Sequence, residues 1–207
     1  MIKGLKICGI SDPKTLDYIL HHPHPPNYIG FITNYKKSKR YVEFQKLKEL
    51  INVNKKKLNF ISVLVNPNDE ILEKIKHFNF DYYQLYDVGP KRTKEIKLKY
   101  NIKIITAITV SQKDDVIKYK DYLGISEIIL FDSKGYHKSK SFDHSLLDGL
   151  PKKLNKMIAG NIQIDDIPNF KDKDFMVDLS GSLEDVNGKK DINKINKLLK
   201  LYAKYEN

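Results

Sequence analysis

Eight short runs rich in β-forming residues recur along the chain, and segments with helical spacing fall between several of them. The runs are LKICGI (5–10), YIGFIT (28–33), LNFISVLVN (58–66), FDYYQLYD (80–87), KIITAITV (103–110), EIILFDS (127–133), KMIAGNI (156–162) and DFMVDLSG (174–181). Most are near-continuous Ile, Leu, Val and Phe rather than strictly alternating, as expected of parallel strands covered on both faces. RYVEFQKLKELI (40–51) carries Val42, Phe44, Leu47, Leu50 and Ile51 on one side of a helix. PNDEILEKIKHF (67–78) opens with Asn68 or Asp69 as a cap and sets Ile71, Leu72 and Ile75 in a stripe. SQKDDVIKYKDYL (111–123) starts at Ser111, another cap, and KKDINKINKLLKLYAKY (189–205) reads as an amphipathic helix. The prolines of HHPHPPN (21–27) make that stretch a loop returning to the second strand.

Alternating strands and helices imply right-handed βαβ crossovers and a parallel sheet. Eight such units without a composition break predict an α/β fold, a (β/α)8 TIM barrel, as a single domain over residues 1–207. A doubly wound open sheet is the alternative. It would carry a glycine fingerprint after the first strand, and CGISDP is not G-x-G-x-x-G.

Composition narrows the class without changing the fold. With 207 residues, 41% of them hydrophobic, the chain can fill the core of one α/β barrel. A single cysteine excludes a disulfide framework and points to a reducing compartment. The start of the chain lacks the pattern of a signal peptide, and no apolar run approaches the roughly 20 residues of a membrane span. These features predict a cytoplasmic protein. The net charge of +11 comes from lysines scattered along the whole chain. The densest runs, at 36–40 and 54–59, read as solvated surface rather than a nucleic-acid interface, although a basic surface favours an anionic substrate. His21, His22 and His24 sit among prolines that prevent the helical i, i+4 face of a histidine metal site, so no metal is expected there.

In such a barrel the chemistry gathers at the C-terminal ends of the strands. There the chain delivers Cys8, Ser38 and Arg40, Asn66, Gln84, Tyr86 and Asp87, Asp132, Gly160 and Asn161, and Asp178, Ser180, Gly181 and Ser182. This set holds one thiol, acids suited to proton transfer and a guanidinium. Small residues follow strands seven and eight, where such barrels often bind phosphate through backbone N–H groups. The mix points to proton transfers on a phosphorylated small molecule. Each residue also has a plainer reading. Cys8 could be a small core residue, Asp132 a helix cap, Arg40 a partner for Glu43 or Glu49, and Asp178 a structural acid.

KICGI, with the helix that follows it, resembles the opening of the phosphoribosylanthranilate isomerases of tryptophan biosynthesis. The resemblance continues in order through GFITNYKKSKRYV, FISVLVN, DYYQLY, EIILFDS, SFDHSLL, MIAGNI and VDLSGSLED followed by GKKD. It implies a TIM-barrel aldose–ketose isomerase performing an Amadori rearrangement, with no cofactor. Cys8 is then the general base and Asp132 the general acid. Arg40, in the S-x-R-Y-V element, holds the anthranilate carboxylate, Tyr86 and Asp178 touch substrate, and Gly160, Asn161, Gly181 and Ser182 bind phosphate through their backbones. The positive end of a short helix after strand eight adds to that phosphate site. The partner is a small phosphorylated substrate, without nucleic acid or membrane, in a monomer or homodimer.

The chain departs from the family at several loops. Leu85-Tyr86-Asp87 stands where Leu-His-Gly is usual, and Gly135 to Lys140 replace a glycine-rich loop. Asn161 replaces a glycine, and Gly181-Ser182 inverts the usual order. Tyr86 is expected to line the pocket in place of the histidine, Gly181 to take over a left-handed backbone position, and Lys138 or Lys140 to close over the phosphate. The alternative function is a repurposed or non-catalytic barrel that binds a phosphorylated small molecule.

Overall fold

The computed structural model describes residues 1–133 and 141–206. Lys138 and Lys140 therefore lie outside the described residues. Eight parallel strands close in chain order: β1 (Gly4–Cys8), β2 (Tyr28–Ile32), β3 (Asn59–Val65), β4 (Tyr82–Tyr86), β5 (Lys103–Val110), β6 (Ile128–Ser133), β7 (Lys156–Ile158) and β8 (Met176–Leu179). Each coincides with one of the eight runs, and the last strand pairs with the first. That closure rules out the open sheet. It also sets Lys6 directly opposite Asp178.

Strand alternation divides the apolar residues into two cores. Outward residues such as Leu5, Ile7, Phe31, Phe60, Leu64 and Phe131 pack against the surrounding helices. Inward residues fill the barrel: Cys8, Ile61, Val63, Tyr86, Ile105, Ala107, Leu130, Met157, Ala159 and Met176. On β1 the inward positions are Gly4, Lys6 and Cys8, so a lysine shares the barrel interior with the thiol.

The helices follow their capping chemistry. Asp12 caps α1 (Pro13–His21) through Thr15 N at 2.8 Å, and Asn68 caps α3 (Asp69–Ile75) through Ile71 N at 3.0 Å. Helix α2 (Phe44–Leu50) buries Leu47 and Leu50. Helix α4 (Pro90–Tyr100) has no strong apolar stripe and buries only Thr93 and Ile96, which is why its spacing does not announce it. Gln112, not Ser111, caps α5 (Lys113–Ile117), while the Ser111 hydroxyl donates to Asp115 at 2.9 Å. After β6 and β7 the described residues of the crossovers hold 3₁₀ turns, His144–Leu147 and Ile164–Phe170, the second containing Pro168. The chain ends in α6 (Ile192–Tyr202), capped by Asp191, which leaves Lys190 free of the helix to point back at the barrel mouth. No helix among the described residues is long and apolar enough to cross a membrane.

Candidate active site

At the C-terminal mouth of the barrel a pocket is lined by Cys8, Arg40, Tyr86, Asp132, Gly160, Asn161, Asp178, Gly181 and Ser182. All nine predicted site residues therefore meet in one place, together with Tyr35, Ser133 and Ser180. Of the other strand-end candidates, Gln84 lies deeper in the barrel, and Asn66 and Asp87 do not line the pocket. The histidines near 22 form no such centre: His22 Nδ1 accepts from His24 N at 3.1 Å, and no cluster among the described residues could hold a metal ion.

The thiol owes its place to the last residue of β1. Cys8 is 7% exposed, at the floor of the pocket, and its carbonyl accepts from the Ser180 hydroxyl at 3.0 Å. Gly9 then turns the chain with φ of 81°, and a Cβ there would lie 2.4 Å from the Arg40 Cδ. Glycine is required twice over, by the left-handed backbone and by the arginine stem that crosses it. Burial pushes the thiol above its ordinary range, and the nearby Lys6 ammonium is the strongest force against that push. Among the cations of the site, Lys6 thus has the leading part in favouring the ionised thiol.

Arg40 reaches the pocket from the turn after β2. Its Nε and Nη2 both donate to the Glu184 carboxylate, the latter at 2.9 Å. The partner is thus neither Glu43 nor Glu49. Lys190 donates to the same carboxylate at 3.1 Å and to the Ser180 carbonyl at 2.9 Å. Burial pushes Glu184 up, but Arg40 and Lys190 outweigh it and hold the carboxyl below its ordinary range. The arginine fork is therefore pre-aligned rather than freely rotating.

Asp132 stands across the pocket at the end of β6. One oxygen accepts from Ser133 N at 2.8 Å and the other from the Tyr86 hydroxyl at 2.8 Å. Among the described residues the turn that follows β6, His144–Leu147, is capped by Asp143 rather than by Asp132. Burial raises its carboxyl to about 6, against the lowering effect of the Tyr86 hydrogen bond. Tyr86 points inward, as expected, and is itself pushed well above 10, first by burial and then by Asp132, so the phenol stays protonated. Gln84 Nε2 donates to the Tyr86 oxygen at 3.2 Å and fixes the direction of the phenol proton toward Asp132.

The loops after β7 and β8 hold the small residues. Gly160 and Asn161 both adopt left-handed backbone, with φ of 97° and 56°. A Cβ on Gly160 would meet Ser133 N and Oγ at 3.0 Å. Gly181 does not take a left-handed position, contrary to expectation. It opens the 3₁₀ turn Gly181–Leu183, and its missing side chain leaves room for Arg40 Nη2, 3.4 Å from where a Cβ would sit. The Ser133 and Ser182 hydroxyls and Asp178 Oδ1 are buried without a partner in the protein. Such groups are costly unless something satisfies them.

Sequence reasoning missed Lys6, Glu184, Lys190 and Ser133. Lys6 carried a usable signal: it lies two residues before Cys8 on a strand buried on both faces, and lysine is rarely fully buried unpaired. Glu184 and Lys190 carried none, because their contacts depend on how a loop folds back.

Comparison with known proteins fits this geometry. The profile of the family described as N-(5'phosphoribosyl)anthranilate (PRA) isomerase matches residues 5–201. The N-(5'-phosphoribosyl)anthranilate isomerase of Rhizobium rhizogenes is 31% identical over 214 residues, covering 98% of this chain and 95% of its own. That of Staphylococcus haemolyticus is 31% identical over 199 residues, covering 92% and 94%. Among solved structures, phosphoribosyl anthranilate isomerase from Thermotoga maritima aligns with a TM-score of 0.85 at 24% identity, covering 99% of this chain and 100% of its own. A phosphoribosyl anthranilate isomerase in complex with reduced 1-(o-carboxyphenylamino)-1-deoxyribulose 5-phosphate aligns with a TM-score of 0.83 at 23% identity, covering 99% and 100%. The two solved structures speak for the fold, and the two relatives for the family.

Proposed function

The chain belongs to the N-(5'-phosphoribosyl)anthranilate isomerase family, and from that premise we propose which of its residues carry the reaction. The activity is the aldose–ketose isomerisation of N-(5'-phosphoribosyl)anthranilate to 1-(2-carboxyphenylamino)-1-deoxyribulose 5-phosphate, a step of tryptophan biosynthesis. Asp132, protonated, gives its proton to the ribose ring oxygen, and the C1′–O bond breaks as the anilino nitrogen forms a Schiff base. Cys8, as thiolate, then takes the proton from C2′, and the electron pair moves to give the enolamine. Tautomerisation to the ketone completes the rearrangement.

The observation that carries this reading is the opposition of Cys8 and Asp132 across one pocket, each on the last residues of a barrel strand. A carboxyl raised to about 6 by burial keeps a protonated fraction near neutrality, as a general acid needs. Arg40, held in a fork by Glu184, is placed to receive a carboxylate with its remaining donors. Asp178 Oδ1, unpaired and buried, is placed to accept from a sugar hydroxyl. The phosphate sits against the Gly160-Asn161 and Gly181-Ser182 backbones, where the orphaned Ser182 and Ser133 hydroxyls add donors. The substrate is a small phosphorylated molecule, and the chain acts as a monomer or homodimer in the cytoplasm as one folded domain. No step of this route needs a cofactor.

Complementation of a tryptophan auxotroph lacking this activity tests the reading, with Cys8→Ala as the control. Growth with the wild-type chain and none with the variant is expected. Growth with both would remove Cys8 from the mechanism. Binding of a phosphorylated product analogue without any turnover would favour a repurposed barrel.

A further inference from the structure

Lys6 is absent from the scheme above, yet it is the most thoroughly buried charge in the barrel. Its side chain is 0% exposed, and its Nζ lies 2.6 Å from Asp178 Oδ2. Barrel closure dictates this contact, because β1 pairs with β8 in the register that sets Lys6 opposite Asp178. A lysine serving only that ion pair would be an expensive way to join two strands, since hydrophobic residues of similar size usually do as well or better.

A second neighbour explains the lysine. Gly30 on β2 stands opposite Cys8, and a Cβ built on it would lie 2.9 Å from Cys8 Sγ and 3.1 Å from Lys6 Nζ. Thiol and ammonium therefore converge on the space that Gly30 leaves empty. They lie within about 6 Å of each other, the range in which a cation favours a neighbour's anionic form. The ammonium favours the ionised thiol at this range, and it is the largest influence opposing burial there. Burial pulls the lysine toward neutrality, but Asp178 and then Cys8 outweigh it, so Lys6 stays charged.

The other charges facing the thiol are already committed. Lys190 and Arg40 are engaged with Glu184, and Tyr86 donates to Asp132. Asp178 opposes ionisation of the thiol, and Lys190 assists it less than Lys6 does. Lys6 is the fully buried cation that shares with the thiol the space left by Gly30.

We propose that Lys6 is a positioning residue of the active site: a single buried ammonium, held by Asp178, that orients Cys8 and keeps its thiolate form available. The inference rests on the assignment of Cys8 as base, but its central claim concerns the thiol itself. Lys6 keeps its own protons throughout, and the proton from C2′ goes to the Cys8 sulfur. Asp178 then has two oxygens with two tasks, one anchoring the ammonium and one, Oδ1, turned to the ligand.

The presence of only one cysteine allows a direct test. The rate of alkylation by iodoacetamide, read by mass spectrometry across pH without substrate, reports ionisation of Cys8 alone. Asp178→Asn is expected to lower the midpoint, because it removes the anion that opposes the thiolate and frees Lys6 to serve it. Lys6→Met is expected to raise the midpoint, but it leaves Asp178 buried without its cation and can lose the fold. Lys6→Met combined with Asp178→Asn avoids that penalty and is expected to have its midpoint above that of Asp178→Asn. In the folded double variant kcat at pH 7 should fall about tenfold or more below that of Asp178→Asn and recover as pH rises, because a neighbouring charge shifts ionisation by at least that factor. Equal midpoints in the single Asp178→Asn and double variants would overturn the proposal, as would an Asp178→Asn midpoint at or above the wild-type value. Because no turnover enters the alkylation measurement, failure here is distinct from failure of Cys8 as the base.

Discussion

Replacing Tyr86 by phenylalanine removes one hydroxyl and tests the proton chemistry of the whole site. The phenol donates to Asp132 Oδ2 at 2.8 Å and stabilises the carboxylate form. Hydrogen bonds to charged groups are worth roughly 1.5–3 kcal/mol, and one pKa unit corresponds to about 1.4 kcal/mol. Losing this bond should therefore raise the Asp132 carboxyl by about 1–2 units above its value of about 6. The active form needs Asp132 protonated and Cys8 ionised, yet burial places the thiol above its ordinary range and Asp132 well below that. Only a minority of molecules then carry both groups in working form. Their fraction is constant between the two ionisations and falls outside them.

The log of kcat/KM against pH should thus rise to about 6, run level, and fall through the thiol range. In Tyr86→Phe the acid limb should move up by about 1–2 units. The plateau should rise by about tenfold or more from protonation alone, less whatever the loosened carboxyl loses in alignment. An acid limb still at about 6 would show that the Tyr86 bond does not govern the acid. A moved limb with an unchanged plateau would mean that Asp132 works as a carboxylate base, since raising the pKa of a base moves the limb without enriching its active form.

The remaining expectations are narrower. Cys8→Ala should fold normally and lower kcat by about 10²–10⁴, and a variant keeping more than about a tenth of wild-type kcat would remove Cys8 as the base. Tyr86→His should preserve or lower KM, because an imidazole fits where the phenol ring lines the pocket; a marked rise in KM would count against that placement. Gly9→Ala should raise KM far more than it lowers kcat, because the new Cβ would displace the Arg40 stem at 2.4 Å; an unchanged KM would mean that Arg40 does not hold the substrate. Asp132→Asn should abolish turnover while stabilising the fold at pH 7 by at most about 3 kcal/mol. The sign follows from the carboxyl's rise from an ordinary 3.8 to about 6: the folded state binds the proton more tightly, so stability falls as pH rises through that window, and asparagine is spared the loss. Urea titrations at pH 4 and pH 7 measure it, and equal effects at both would refute it.

The barrel was legible because its strands are buried on both faces and so are written in unbroken apolar residues. Each of the eight runs overlaps its strand, even the three-residue β7. The crossovers were less legible where they are short or poor in apolar residues. Helix α4 buries two side chains, and the described turns after β6 and β7, His144–Leu147 and Ile164–Phe170, are 3₁₀ rather than α-helical. For the site, position along a strand was enough to gather Cys8, Asp132 and Asp178, because a strand end in a closed barrel has one place to go. What surrounds them was not legible. Glu184 reaches Arg40 across 144 residues of sequence, and nothing local in either segment announces the other.

The altered loops fit the same logic. A backbone N–H serves as a donor whatever side chain it carries, provided that the conformation survives. Asn161 meets that condition at φ of 56°, a region that asparagine enters more readily than most residues. At Gly181 the condition is different, because the backbone is unexceptional and the empty Cβ position makes room for an arginine. The two replacements therefore preserve different things, a conformation in one loop and a space in the other. Side-chain chemistry has no such latitude: in the proposed mechanism the thiol, the carboxyl and the buried ammonium act through their own atoms, so replacing Cys8, Asp132 or Lys6 is expected to cost turnover where a loop change that keeps its backbone is not.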